Sequence, residues 1–147
     1  DDVGFNLFIL SQGYFSALKK SLGDKFRLWI YKDKGELISF FTVFEDGDIL
    51  DAHFLGYDPE VNHKYKLYLN MLLRMIDLAT TRGFRQLQLS RTATEIKSSV
   101  GAQGVPMWAY MRAPNKAFNS LVPRLYSFFK PDLEWVPRNP YHAEDSE

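Results

Sequence analysis

The sequence predicts an α/β domain whose mixed, mostly antiparallel central sheet carries helices on both faces. Three strand-like segments follow one another across the turn sequences KDKG and EDGD, as in an antiparallel meander. From Tyr65 the spacing of apolar residues changes from strand-like to helical, and another strand-like segment follows that helix. A helix between two strands acts as a crossover, so we expect the later strand to join the same sheet.

The first half is predicted to hold one helix and three strands. An amphipathic helix at 6–22 has apolar residues at helical spacing, and Gly23 is placed to end it. Strands are predicted at 25–31, 36–44 and 49–57 from their β-branched and aromatic residues. The second of these is apolar on both faces, which is typical of a central strand.

The second half is predicted to alternate helices and strands. A long helix begins after Asp58-Pro59 or after Asn62 and ends near Gly83, and from Tyr65 onward its apolar side chains lie on one face with a polar stripe opposite. After it we expect a strand at 84–90, a helix at 92–101, a strand at 105–113 and a helix at 115–129 that Pro123 interrupts. The prediction is one domain over 1–141 and a frayed tail over 142–147.

Composition restricts the classes of function. The 147 residues include 18 basic and 18 acidic side chains, and this balance argues against DNA as a partner. The chain has no cysteine, which excludes disulfides and a cysteine nucleophile and fits a cytoplasmic protein. No apolar run reaches the roughly 20 residues of a membrane span. His53, His63 and His142 do not stand at ligand spacing, so no metal site is expected.

The junction between the third strand and the long helix is a candidate anion site. Residues 58–97 hold 7 basic and 4 acidic residues, and a helix N-terminus offers free amides to an anion. Asp58, Asn62 and Lys64 lie at this junction, beside Tyr65. The same residues also have a purely structural interpretation, in which Asp58 or Asn62 caps the helix and the lysines are solvated.

Two further places carry candidate chemistry. His53 and Tyr57 are expected on one face of the third strand, where they would either transfer protons or simply pack. In the segment SRTATEIK, Thr92 and Glu95 match a capping box, which explains both without a catalytic role. Arg91 stands before this box at the carboxyl end of a strand, where ligands gather in α/β sheets.

The order of elements and the segment GYDPEVNHKYKLYLNMLLRMIDLATTRGFRQLQLSRTATEIKSSVGA resemble the GNAT acyltransferase fold. More specifically, they resemble the GNAT-like domain of Fem-type peptidoglycan aminoacyl transferases and related bacterial peptidoglycan biosynthesis proteins. The resemblance covers about residues 36–113. The usual GNAT pyrophosphate signature, Q/R-x-x-G-x-G/A, is absent from DPEVNHKYKLYLN.

The resemblance implies transfer of an acyl or aminoacyl group from acyl-CoA or aminoacyl-tRNA to an amine or hydroxyl, without a metal. The acceptor would be a small molecule such as a cell-wall precursor. A second GNAT-like domain is also expected, because Fem-type proteins often carry two and this chain does not begin with methionine. The missing signature supports an alternative, a non-catalytic domain of this fold that binds a precursor or supports a partner domain.

The resemblance also assigns roles to residues. Glu95, His53 and Asp58 are candidate bases, and Tyr57 and Tyr65 are candidate acids. The donor is expected against Asp58, Asn62, Lys64, Tyr65, Arg91 and Lys97.

Overall fold

A computed structural model describes residues 10–90, 93–108, 110, 112, 115–119, 121–123, 138 and 140. The chain divides into two compact units, 1–92 and 93–147. The elements of the first unit are α1 (Tyr14–Leu22), a 3₁₀ turn (Gly23–Lys25), β1 (Phe26–Asp33), β2 (Glu36–Asp46), β3 (Ile49–Tyr57), α2 (Pro59–Tyr65), α3 (Leu67–Thr81) and β4 (Gln86–Gln88). The second unit contains α4 (Thr94–Ser98) and α5 (Lys116–Asn119).

The sheet is mixed and mostly antiparallel, as predicted. Its strand order is β1-β2-β3-β4, with antiparallel pairing among the first three strands and parallel pairing between β3 and β4. The parallel pair needs a crossover, and α2 and α3 provide it.

Helices cover both faces of this sheet, which confirms the predicted layers. On one face α3 buries Met71 and Met75 against Phe41 of β2, in a cluster that also includes Val43, Leu50, Ala52, Leu78 and Ala79. On the other face Phe15 of α1 packs on the rings of Phe26 and Phe40. Because Phe40 and Phe41 are consecutive in β2, they point to opposite faces and separate the two layers.

A β-bulge in β3 changes which side chains share a face. Phe41 pairs with Leu55 and Val43 pairs with Ala52, so Thr42 alone lies opposite His53 and Phe54. The hydroxyl of Thr42 accepts a hydrogen bond from the Phe54 amide at 2.9 Å. The extra residue of β3 at this bulge reverses the alternation of side chains in the rest of that strand.

Several predicted elements differ in extent from those observed. The helix at 6–22 is seen as Tyr14–Leu22, and residues 1–9 lie outside the described residues. The long helix predicted after β3 is two helices, because Lys66 adopts a left-handed conformation (φ 49°) that ends α2 and precedes α3.

The elements after α3 are shorter than expected. The strand at 84–90 is reduced to Gln86–Gln88, and the helix at 92–101 to Thr94–Ser98. The predicted strand at 105–113 is wrong for residues 105–108, 110 and 112, none of which is in a strand. Apolar side chains in that segment, such as Trp108 and Tyr110, are exposed, so burial does not stabilise a strand there. Of the helix at 115–129, the described part includes α5.

Candidate active site

The parallel pairing of β3 with β4 ends early. Ile49, Leu50 and Asp51 pair with Gln86, Leu87 and Gln88, after which the pairing stops. Strand β3 continues to Tyr57, whereas the chain after β4 reaches Ser90 in a left-handed conformation (φ 61°). Among the described residues, the edge of β3 from Ala52 to Tyr57 that faces β4 has no strand partner, so its peptide groups are available to a ligand.

Tyr57 stands at the end of this unpaired segment. It is half-buried and packs against the core cluster on the α3 face of the sheet. Its ring lies edge-on to Tyr68 of α3, with centroids 5.9 Å apart. Burial raises the pKa of Tyr68 and the neighbouring Tyr57 raises it further, so the Tyr68 phenol is held neutral.

His53 lies on the opposite face of the sheet, so the prediction that it shares a face with Tyr57 is wrong. The bulge at His53–Phe54 is the physical reason, because it places both of these side chains toward α1 and leaves Leu55 and Tyr57 toward α3. The His53 ring contacts Phe44 and Phe54, each with ring centroids 4.5 Å away. Burial lowers the pKa of His53, and the nearby Asp51 carboxylate opposes this shift.

Both ring nitrogens of His53 lie close to hydroxyl groups. Nε2 lies 3.2 Å from the hydroxyl of Tyr14, and Nδ1 lies 3.4 Å from the hydroxyl of Thr42. The hydroxyl of Thr42 also donates to the carbonyl of Phe54 at 3.2 Å. Which nitrogen donates and which accepts depends on the tautomer of the ring. Both nitrogens of His53 therefore have a hydroxyl partner within the protein.

Asp58 and Asn62 both act as helix caps. The Asp58 carboxylate accepts a hydrogen bond from the Glu60 amide at 2.9 Å, with Pro59 at the first position of α2. The side-chain oxygen of Asn62 accepts from the amide of Tyr68 at 3.3 Å, in the first turn of α3. The capping expected for these two residues is therefore confirmed.

Lys64 and Tyr65 belong to a chain of polar contacts that reaches the β1–β2 hairpin. The Lys64 ammonium donates to the Tyr65 hydroxyl at 2.7 Å, and that hydroxyl donates to the Asp33 carboxylate at 2.8 Å. The hydrogen bond to Tyr65 raises the pKa of Lys64, so its ammonium stays charged. An anion bound here would meet a cation that Tyr65 already orients.

The remaining candidates lie after β4. Arg91 and Thr92 fall outside the described residues, so the roles predicted for them stay predictions. In the second unit Ala93 is the N-cap of α4 and makes no side-chain cap, while the Glu95 carboxylate pairs with the guanidinium of Arg138. Lys97 is 6% exposed, and burial lowers the pKa of its ammonium.

The first unit thus brings together five of the predicted residues: Tyr57, Asp58, Asn62, Lys64 and Tyr65. The sequence did not reveal Tyr14, Thr42 and Asp33, because their roles depend on contacts between elements distant in the chain. Tyr68 had a detectable signal, since it stands on the apolar face of the predicted helix together with Tyr65.

The described part of the chain contains neither a metal-binding cluster nor a helix that could span a membrane. Among those residues, no cluster of three or more His, Asp or Glu side chains is arranged to hold a metal ion. Across the same residues, no helix has both the length and the apolar character needed to cross a membrane.

Comparison with known proteins supports the geometric interpretation. A family model described as an acetyltransferase (GNAT) domain matches residues 6–98, which is more than half of the chain. Neither the curated proteins nor the solved structures gave a significant match. The matched range includes the whole sheet, the crossover helices and α4. The chain therefore belongs to the GNAT acetyltransferase-domain family.

Proposed function

We propose that this domain transfers an acyl group from a thioester donor, acyl-CoA, to the amine or hydroxyl of a small acceptor. The early end of the β3–β4 pairing carries the proposal, because among the described residues it leaves the β4-facing edge of Ala52–Tyr57 without a strand partner, next to the helices that follow β3. An extended thioester arm can hydrogen-bond to such an edge much as a strand would. The family match supports acyl transfer as the reaction class.

The proposed reaction is direct attack on the thioester. The acceptor nitrogen forms a bond to the carbonyl carbon, the carbon–sulfur bond breaks, and the thiolate leaves. A base takes the proton that the acceptor loses, and an acid protonates the thiolate. Unpaired β3 amides would stabilise the oxyanion that forms on the carbonyl. No enzyme nucleophile is needed, which is compatible with a chain that lacks cysteine.

Tyr57 is our proposed acid, because its side chain lies at the end of the unpaired segment of β3. His53 and Glu95 are our proposed bases. Burial lowers the pKa of His53, which favours the neutral ring that a base requires, although Tyr14 already contacts Nε2. Glu95, whose carboxylate pairs with the guanidinium of Arg138, belongs to the second unit of the chain.

The proposed donor site uses the junction after β3, with Asp58, Asn62, Lys64 and Tyr65, while the donor contacts expected for Arg91 and Lys97 stay predictions. Lys64 supports it best, because its charged ammonium lies near the start of α3, where helix amides favour anions. Asp58 and Asn62 support the site indirectly, since they cap α2 and α3 and fix the local backbone.

The Fem-type resemblance makes aminoacyl-tRNA the competing donor, with a cell-wall precursor as acceptor and a second GNAT-like domain as partner in a bacterial cytoplasm. The excess of basic residues over 58–97, 7 against 4 acidic, supports an anionic donor of either kind. Calorimetric titration with acetyl-CoA, longer acyl-CoAs and aminoacyl-tRNA distinguishes these donors. Tight binding of aminoacyl-tRNA without binding of any acyl-CoA would favour the Fem-type reaction instead.

Catalysis itself has a direct assay. Released CoA thiol reacts with a chromogenic disulfide reagent, and the chain contributes no background because it has no cysteine. We expect thiol release that depends on an added amine or hydroxyl acceptor. His53→Gln and Glu95→Gln should then be compared across pH, because loss of the acidic limb of the rate profile identifies the base. Absence of both acyl-CoA binding and thiol release would refute an acyl-CoA-dependent enzyme.

A non-catalytic domain of the same fold is the second candidate. One observation favours it: Asp58, Asn62, Lys64 and Tyr65 all hydrogen-bond within the protein, so the polar groups predicted to bind the donor already have partners. In that case a cell-wall precursor or partner domain would bind without acyl transfer. Binding of a precursor such as a muramyl peptide, in the absence of any thiol release, would support this alternative.

A further inference from the structure

Strand β1 forms an edge of the sheet. Among the residues that the structure describes, it pairs with β2 and with no other strand. Such an edge presents N–H and C=O groups at every second residue, and another strand can pair with them. This edge lies on the opposite side of the sheet from the β3–β4 divergence, so it is separate from the proposed acyl-transfer site.

The side chains of β1 remain partly uncovered on both faces. Leu28 is 46% exposed and Ile30 is 52% exposed, and both alternate with Trp29 and Tyr31 of the other face. Open clefts of about 580 and 540 Å³ lie beside the strand, one lined by Tyr31 and residues of α3, the other by Leu28 and residues of α1. An added strand would therefore find space for its side chains above and below the sheet.

We propose that β1 pairs antiparallel with β1 of a second copy, about a two-fold axis through Ile30. The resulting dimer has one continuous sheet across both copies. We take the two-fold axis to be perpendicular to the sheet, so that both α3 helices lie on the same side of it. Residues that lie opposite each other then come from the same face of β1. The axis must therefore pass beside a single residue of β1, and the charges of the paired side chains decide which residue this is.

Pairing centred on Ile30 is self-complementary. It places Arg27 opposite Asp33 of the second copy, and Trp29 opposite Tyr31, twice each by symmetry. Opposite charges and aromatic pairs directly across two strands are both stabilising. Arg27 binds Glu45 of its own chain through Nε, and Asp33 binds Tyr65 through Oδ2. In the proposed dimer the terminal nitrogens of Arg27 and Oδ1 of Asp33 would therefore form the ion pair between the two copies.

Neighbouring registers lack this match. Centring the axis on Trp29 places Arg27 opposite Tyr31 and Lys32 opposite Phe26. Centring it on Tyr31 places Asp33 opposite Trp29 and Lys32 opposite Ile30. The Ile30 register also places Lys32 opposite Leu28, so a lysine faces an apolar side chain in all three registers. Of the three, the Ile30 register alone pairs Arg27 with Asp33, and this opposite-charge pair favours it over its neighbours.

Sedimentation analysis of the full chain over a range of concentrations tests the dimer. We expect a reversible monomer–dimer equilibrium for the wild type. Ile30→Lys places two ammonium groups opposite each other at the axis and should weaken association at least about tenfold. Leu22→Lys is the matched control, because Leu22 is a 38% exposed apolar residue at the end of α1 that lines neither cleft. It should dimerise like the wild type.

Cysteine cross-linking tests the register, because the native chain contains no cysteine. In the proposed register the two copies of residue 30 have Cα atoms about 4.5–5.5 Å apart, within disulfide range. The two copies of residue 28 are displaced by about 13 Å along the strands, beyond that range. Ile30→Cys should therefore give a disulfide-linked dimer under mild oxidation, and Leu28→Cys should not, although both positions are exposed on the same face.

Three results would overturn the proposal. The first is a wild-type chain that stays monomeric at every concentration, which would leave the edge to a different partner. The second is a dimer that Ile30→Lys does not weaken. The third is equal cross-linking of Ile30→Cys and Leu28→Cys, which indicates random collision rather than a defined register. A circular dichroism melt of each variant shows whether it is folded, so a loss of dimer cannot be confused with unfolding.

Discussion

The hydroxyl of Tyr14 on α1 lies 3.2 Å from Nε2 of His53 on β3, although 39 positions separate the two residues in the chain. Their rings are stacked with centroids 6.0 Å apart. This contact joins the first helix to the β-bulge from which β3 continues toward Tyr57. It therefore links the stability of α1 to the geometry of the proposed acyl-transfer site.

Removal of the Tyr14 hydroxyl should affect both stability and titration. Tyr14→Phe keeps the ring but leaves Nε2 of His53 without its hydroxyl partner, so we expect a loss of about 0.5–1.5 kcal/mol in the free energy of unfolding. A hydroxyl that donates to Nε2 disfavours the protonated imidazole, so its removal should raise the pKa of His53, while burial, the main cause of the lowered pKa, remains. Urea unfolding and NMR titration of the imidazole measure the two effects.

Tyr65→Phe is the control for this experiment. It also removes a tyrosine hydroxyl with a polar partner, but that partner is Asp33 rather than His53. It should leave the His53 titration unchanged. An unaltered His53 titration in Tyr14→Phe would mean that the contact does not govern the protonation of the ring.

Stability should fall on mild acidification because of His53. Burial lowers the pKa of His53 in the folded state below its ordinary value of 6.5. Between those two pKa values the unfolded chain binds a proton that the folded chain does not, so this contribution is complete above pH 6.5 and is lost as pH falls through the folded pKa. Denaturant titrations at a series of pH values measure the slope of the free energy of unfolding against pH.

Asp51 contributes with the opposite sign in a more acidic range. Burial raises its pKa above 3.8, and therefore its contribution to stability is present below pH 3.8 and lost as pH rises through the folded pKa.

The contribution of His53 is isolated by comparing how the free energy of unfolding depends on pH in the wild type and in His53→Gln. His63→Gln, at an exposed position of α2, should retain the wild-type slope. If His53→Gln also retains it, another group is responsible.

Gly56 should tolerate no side chain. A Cβ at this position would lie 2.5 Å from Cε1 of Phe40, directly across the β2–β3 pair. Phe40 in turn packs on Phe15 of α1, so its ring cannot move away without disturbing that contact. Gly56→Ala should reduce the free energy of unfolding by about 1–3 kcal/mol.

Gly13 provides the matched comparison for Gly56. It precedes α1 at a negative φ, and a Cβ there would meet nothing within 4 Å. Gly13→Ala should therefore change stability by no more than about 0.5 kcal/mol. A similar effect of the two substitutions in thermal or urea unfolding would show that contact with Phe40 is not the reason for a glycine at 56.

The β1–β2 hairpin offers a stabilising change. Its two loop residues, Lys34 and Gly35, both have positive φ, at 50° and 92°, as a type I′ turn requires. Asparagine adopts that conformation more easily than lysine, so Lys34→Asn should stabilise the protein by about 0.5 kcal/mol. Gly35→Ala should destabilise it, by about 1 kcal/mol or more. Lys34→Asn would contradict this interpretation if it lowered the melting temperature.

Periodicity and turn residues were sufficient to predict the meander, the crossover and a fourth strand in the same mixed sheet. These depend on local patterns, such as KDKG between two strand-like segments, and on the general handedness and adjacency of connections. The break at Lys66 was not predictable in this way. A lysine has no preference for the left-handed conformation, and the break is stabilised by contacts such as that between Asn62 and the Tyr68 amide.

The candidate site was predictable where its signal was local. Asp58-Pro59 correctly suggested a helix start, since capping and proline preference act over a few residues. The relation of His53 to Tyr57 was predicted wrongly, because strict alternation ignores a bulge. That bulge involves Thr42, a residue on a different strand, and no pattern within 49–57 reveals it.

Removal of the Tyr57 hydroxyl should slow acyl transfer without weakening donor binding. If this hydroxyl protonates the leaving thiolate, Tyr57→Phe should lower kcat for acyl transfer by about 100-fold, while the affinity for acyl-CoA changes little. The ring contact with Tyr68 is kept by phenylalanine, so the fold should be preserved. Tyr31→Phe removes a hydroxyl from the same face of the sheet, two strands away, and should leave kcat near the wild-type value. Thiol release under saturating donor and calorimetric titration of acyl-CoA separate the two effects. An unchanged kcat in Tyr57→Phe would exclude this residue as the acid, and a loss of donor affinity with unchanged kcat would assign it to binding instead.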